Sequence, residues 1–122
     1  SVVSKINKVK KGESVGYNRN FIAQEDMEIG VVSIGYADGL DRNIGNSNYK
    51  LWVNDQPASI VGDICMDMCM IDLTNFKVNE GDDVIIFDAK HTVSQLAESV
   101  KTIPYEVLSR VSRRVKRVYF HD

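Results

Sequence analysis

The residues able to do chemistry are few and scattered. Tyr17 sits in "GESVGYNRNF", between a glycine and an asparagine, with Arg19 the nearest cation in sequence. A phenol with its ordinary pKa near 10 works as an acid or base only where cations and hydrogen bonds pull it toward neutrality. The segment alone reads more readily as a strand aromatic beside a turn. A second group is "GYADGLDR", which places Tyr36, Asp38, Asp41 and Arg42 on one loop. Aromatics with mixed charges on a loop suit a binding site, and suit an ordinary turn equally well.

Other candidates exclude more than they support. Cys65 and Cys69 lie in "DICMDMCMIDL". On a strand they would share a face about 13 Å apart, too far for a disulfide or a common zinc ion. They read as reduced thiols acting as small hydrophobes. His91 and His121 are expected at the surface, and no metal site is expected. Neither a glycine-rich phosphate loop nor a nucleophile elbow occurs. Arg110, Arg113, Arg114, Lys116 and Arg117 put five cations in eight residues. Against a net charge of -2 they suggest a solvated edge or a face toward a partner domain rather than nucleic-acid binding.

The elements that must position these residues are mostly β. Runs such as "SVVSKINKVK", "EIGVVSIG", "YKLWV", "PASIVG" and "ICMDMCMIDL" are short, rich in strand formers and separated by turn signals. "YADGLDRNIGNSN" reads as a long exposed loop, and Asn54-Asp55 as a turn. Thr92 and Gln95 form a capping box before Val93, Leu96, Ala97 and Val100, which repeat at helical spacing. Pro104 suits the first turn of a second short helix, and "VKRVYF" reads as a closing strand. The expected fold is therefore mainly β, a small barrel or sandwich with one or two short C-terminal helices, as one domain over residues 1–122. At 43% apolar and 26% charged residues, the composition is that of a globular domain. Neither a membrane-spanning run nor a targeting segment stands out. The chain opens without an initiator methionine, which suggests a piece cut from something longer.

In order and spacing, "GESVGYNRNF", "VVSIGYADGL", "IVGDICMDMCMIDLT", "GDDVIIF" and "TIPYEVLSRVSRRVKRVYF" resemble the C-terminal β-domain of the alanine racemases. These are fold type III enzymes that use pyridoxal 5'-phosphate to interconvert L- and D-alanine for peptidoglycan synthesis in the cytoplasm. The resemblance implies a head-to-tail homodimer in which the β-domain of one subunit meets the N-terminal barrel domain of the other. It implies that Tyr17 is the acid/base on one face of the substrate α-carbon, opposite the cofactor lysine of the barrel. Met66 would bind the substrate carboxylate through its backbone N–H, and Tyr105 would hydrogen-bond the phosphate of the cofactor held in the barrel of its own chain. Tyr36, Arg42 and Ile103 would line the entryway. The chain departs from the family at Gly16 and Asn18, where Ser and Gly are usual, at Asp63 in place of arginine, at Leu40 in place of an aromatic, and at Lys116 in place of proline.

A (β/α)8 barrel needs about 250 residues, so 122 residues have no room for one and the isolated domain is expected to be inactive. Two alternatives come from other classes: a non-catalytic β-module for assembly or RNA binding, and the β-domain of a fold type III amino-acid decarboxylase.

Overall fold

The computed structural model describes residues 1–15, 21–46, 49–102 and 104–111. Eight strands are present: β1 (Val3–Val9), β2 (Ser14–Val15), β3 (Phe21–Ile22), β4 (Met27–Val32), β5 (Lys50–Val53), β6 (Gln56–Val61), β7 (Cys69–Asp72) and β8 (Val84–Ile85). Six of them form one sheet in the order β1-β4-β7-β6-β5-β8, while β2 and β3 make a separate ribbon. Neighbouring strands run antiparallel. Two short helices follow, α1 (Val93–Ser99) and α2 (Pro104–Ser109). The mainly-β class with two C-terminal helices is the one expected.

Local chemistry accounts for the elements. On β5, Leu51 and Val53 point inward while Trp52 is only half-buried, and on β7 Cys69 and Ile71 point inward, the period-two alternation of a strand with one face on the core. Asn54 and Asp55 both adopt positive φ (50° and 61°). Asn and Asp tolerate that region, and its twist suits a two-residue hairpin joining β5 to β6. Thr92 caps α1, its side chain accepting from the Gln95 N–H at 3.3 Å. Leu96 and Ala97 of α1 and Val107 of α2 join Val3, Val32, Leu51, Ile71 and Leu73 in one core. Full burial of a Leu or Ile contributes about 1.5–3 kcal/mol, so the helices are fastened to the sheet by apolar area. No helix among the described residues is long and apolar enough to cross a membrane.

The sheet curls until its outer strands meet. Val2 bridges to Asp83, the Val3 N–H donates to the Asp82 carbonyl (2.9 Å), and the Gly81 N–H donates to the Val3 carbonyl (2.7 Å). Further along β1, the Ile6 N–H donates to the Glu80 carboxylate (3.1 Å). Among the described residues a single bridge joins the two edges in place of a continuous ladder, so these strands do not close a barrel.

Three expectations need correction. The run "ICMDMCMIDL" is not one strand: residues 64–68 form a turn closed by the Cys65 N–H to the Met68 carbonyl (2.9 Å), and pairing starts only at Cys69. The carbonyls of Cys65 and Met66 are used instead by the 35–40 loop, which takes them out of the ladder. The 13 Å strand separation assigned to the two thiols therefore does not apply. Second, "YADGLDRNIGNSN" is not simply an exposed loop. It contains 3-10 turns at Tyr36–Asp38 and Arg42–Asn46, and Leu40 and Ile44 are buried in the main core. Third, His91 is half-buried and stacks on Trp52, with ring centroids 3.7 Å apart and planes 12° from parallel. The "VKRVYF" strand and His121 lie outside the described residues.

Burial makes the two thiols unequal. Cys69 is fully enclosed, and its thiol is pushed up to about 12 by that burial first and by Cys65 second, against a smaller opposing pull from the amino terminus. Cys65 is only half-buried. At neutral pH a thiol-specific reagent should therefore label Cys65 in the folded domain and reach Cys69 only after denaturation; equal labelling rates would contradict this packing. Because the unfolded thiol ionises near 9 and the folded one near 12, the folded state holds its proton over that interval while the unfolded state loses it. The stabilising contribution is complete below pH ~9 and is lost as pH rises toward 12. Tyr49, also raised to about 12 by burial and then by Asp88, acts in the same direction. Cys69→Ala should make the alkaline fall in stability shallower in a pH series of denaturant melts, whatever its cost at pH 7.

Candidate functional site

The site is built on one close approach. Gly35 lies against the 65–66 backbone, and a Cβ there would stand 2.2 Å from the Cys65 carbonyl oxygen and 2.4 Å from that of Met66. Only glycine leaves that space. The contact lets the Tyr36 N–H donate to the Cys65 carbonyl and the Ala37 N–H to the Met66 carbonyl, each at 3.0 Å. Asp38 closes the turn by accepting from the Gly35 N–H (3.0 Å). Gly39 ends it at φ 104°, a left-handed conformation that glycine adopts freely. A Cβ on Gly39 would meet the Arg110 carbonyl oxygen at 2.1 Å. One turn thus touches both the 65–68 segment and the end of α2.

Beside it opens a polar cleft of about 690 Å³, lined by Tyr36, Asp41, Arg42, Asp63, Ile64 and Arg110 among others. The Arg42 guanidinium lies 5.2 Å from the centre of the Tyr36 ring, a cation–π contact, and Tyr36 as a residue remains 41% exposed. Arg110 reaches Asp41 (Nη1 to Oδ2, 2.8 Å) and also pairs with Glu106. Met66 and Met68, in the neighbouring turn, are exposed. The Met66 carbonyl is engaged by Ala37, whereas its N–H finds no acceptor among the described residues.

The β2–β3 ribbon joins the same end of the sheet. Val15 packs with Ile29 and Val61, and Phe21 packs against that cluster. A Cβ on Gly62 would lie 3.6 Å from the Val15 carbonyl and 3.9 Å from the Phe21 Cβ. The ribbon's ends at Val15 and Phe21, which flank residues 16–20, are therefore held beside the segment that continues into Asp63 and Met66.

The expected site residues can now be placed. Tyr36 and Arg42 line one cleft, and Met66 is bonded through its backbone to the turn that carries Tyr36. Tyr105 belongs to α2, whose following residue Arg110 also lines the cleft, but its side chain is outside what is described. Tyr17 and Ile103 lie outside the described residues. Reading by sequence missed the positions that do the holding. Gly35 falls at the end of the strand-like run "EIGVVSIG" and Gly39 among the turn signals of the following loop, and Arg110, the first cation of the basic run, is committed to Asp41 and Glu106. Among the described residues no three His, Cys, Asp or Glu side chains gather as a metal site.

The sequence matches the family described as alanine racemase, C-terminal domain, over residues 1–119. It is 42% identical over 121 residues to the alanine racemase of Helicobacter pylori strain J99, covering 96% of this chain and 32% of that protein. It is 44% identical over 119 residues to alanine racemase 1 of Caldanaerobacter subterraneus, covering 93% and 30%. Among solved structures, the biosynthetic alanine racemase from Pseudomonas aeruginosa superposes with a TM-score of 0.91 at 36% identity, covering 98% of this chain and 34% of that one. The alanine racemase from Bartonella henselae with covalently bound pyridoxal phosphate gives 0.92 at 30% identity, with the same coverage. The chain spans about a third of the length of the curated relatives it matches. On sequence and on fold alike, the chain belongs to the alanine racemase C-terminal domain family.

Proposed function

We propose that this domain contributes part of the active site of a cytoplasmic, pyridoxal-phosphate-dependent alanine racemase that supplies D-alanine for the cell wall. It would do so as a homodimer in which it meets the barrel domain of the partner subunit. The observation that carries this reading is convergence: the ribbon flanking Tyr17, the Met66 turn, the Tyr36–Arg42 loop and the α2 helix bearing Tyr105 gather at one end of the sheet.

Among the described residues that line the cleft there is no lysine. The covalent anchor for the cofactor would belong to the barrel, with Tyr105 contributing a contact to the phosphate. When bound, pyridoxal phosphate delocalises the negative charge left on the α-carbon once its proton has gone. The domain's own residues hold and move that proton. Tyr17 would take it from, or return it to, one face of the α-carbon, opposite the barrel lysine. The Met66 N–H would donate to the substrate carboxylate, consistent with its open donor position. Tyr36, Arg42 and Ile103 would frame the way in, the Arg42 charge resting on the Tyr36 face.

Two outcomes test the reading. In the full-length polypeptide, Tyr17→Phe should lower α-hydrogen exchange of L-alanine by about 10²–10⁴-fold, the usual worth of a positioned acid/base. Exchange of D-alanine, driven from the lysine side, should partly survive. Equal loss for both enantiomers, with fold and cofactor intact, would remove Tyr17 from its one-sided role. The isolated domain, titrated with pyridoxal phosphate, should bind it no better than an unrelated protein of equal lysine content. Saturable one-to-one binding would place the cofactor's main contacts here instead of on the barrel.

A further inference from the structure

The most connected side chain near the cleft is one to which nothing above assigns a function. Arg110 follows α2 and holds two carboxylates at once: Asp41, at 2.8 Å, from the loop that frames the cleft, and Glu106, one turn back on α2. Glu106 in turn accepts from the Thr102 hydroxyl. That last bond spans residues 103–105, the stretch that contains Ile103 and Tyr105. The result is a polar chain, Asp41–Arg110–Glu106–Thr102, running from the entry loop to both flanks of Tyr105. The backbone follows the same route, since Gly39 abuts the Arg110 carbonyl.

The Asp41 carboxylate is only 14% exposed, so part of this chain is sheltered from solvent screening, unlike an ordinary surface pair. An arginine fork holding two carboxylates also fixes direction, which a lysine point charge does not. Neither Asp41 nor Arg110 needs to touch the cofactor for its loss to be felt at Tyr105.

We propose that Arg110 is a positioning residue that joins the entry loop to the cofactor-contacting helix, so that breaking its bond to Asp41, on the far side from Tyr105, loosens the enzyme's hold on pyridoxal phosphate. This inference rests on the reading of Tyr105 as a phosphate contact.

The test uses the full-length dimeric enzyme, stripped of cofactor and titrated with pyridoxal phosphate well below the melting temperature of each variant. Asp41→Asn and Arg110→Met should each weaken cofactor affinity by about fivefold. The double variant should be no worse than Arg110→Met alone, because both changes break one link. Arg110→Lys should restore part of the affinity. Tyr105→Phe serves as the reference. If Tyr105→Phe weakens cofactor binding while Asp41→Asn leaves it at the wild-type value and merely lowers the melting temperature, Arg110 is only structural and the inference fails while the reading of Tyr105 stands. If Tyr105→Phe itself leaves affinity unchanged, that reading falls and takes this inference with it.

Discussion

The working end of this domain depends on a backbone-to-backbone approach at Gly35. With no side chain at that position, the 35–38 turn can settle onto the carbonyls of Cys65 and Met66 and donate a hydrogen bond to each. Two hydrogen bonds of this kind are each worth only about 0.5–1.5 kcal/mol net. Their importance lies in what they orient. They set the Tyr36 ring beside Arg42 and place Gly39 where the end of α2 can lie against it. A methyl group at residue 35 would separate segments that share no sequence neighbourhood.

Charge is distributed at this site in keeping with a domain that completes something else. Arg110 is satisfied internally by Asp41 and Glu106, and Arg42 rests on an aromatic face. Among the described residues, both arginines that line the cleft are thus already committed to holding geometry. The same commitment weakens the view of the basic C-terminal segment as a nucleic-acid patch, since its first member is an internal tie.

The strands were readable because period-two alternation and turn chemistry act locally, as at Leu51, Val53 and the Asn54–Asp55 hairpin. The capped helix after Thr92 was readable for the same reason. The segment 64–68 was not, because its alternation of Met and Cys mimics a strand, whereas its conformation is decided by the 35–38 loop packing on it. Leu40 and Ile44 were concealed by their polar neighbours: two apolar residues among Asp, Asn and Gly look like loop residues until a core is there to receive them. Of the site, Tyr36, Asp41 and Arg42 could be singled out as a loop of mixed character. The pairing of Asp41 with Arg110, residues 69 positions apart, carries no local trace, and the resemblance to a family supplied roles without the contacts that hold them.

The meeting of the sheet's outer strands at Val2 and Asp83 bears on how such a domain can join another. A sheet with a long open edge invites a neighbouring chain to add a strand. Here β1 and β8 shield one another where they bridge, and the outer strand β1 carries Lys5 and Lys8, both exposed, along its length. Among the described residues, this edge of the large sheet thus offers little for a neighbouring chain to extend as a β-ladder. Two folding units that meet without sharing a ladder keep separate hydrogen-bond networks, and can be brought together or taken apart without either having to refold.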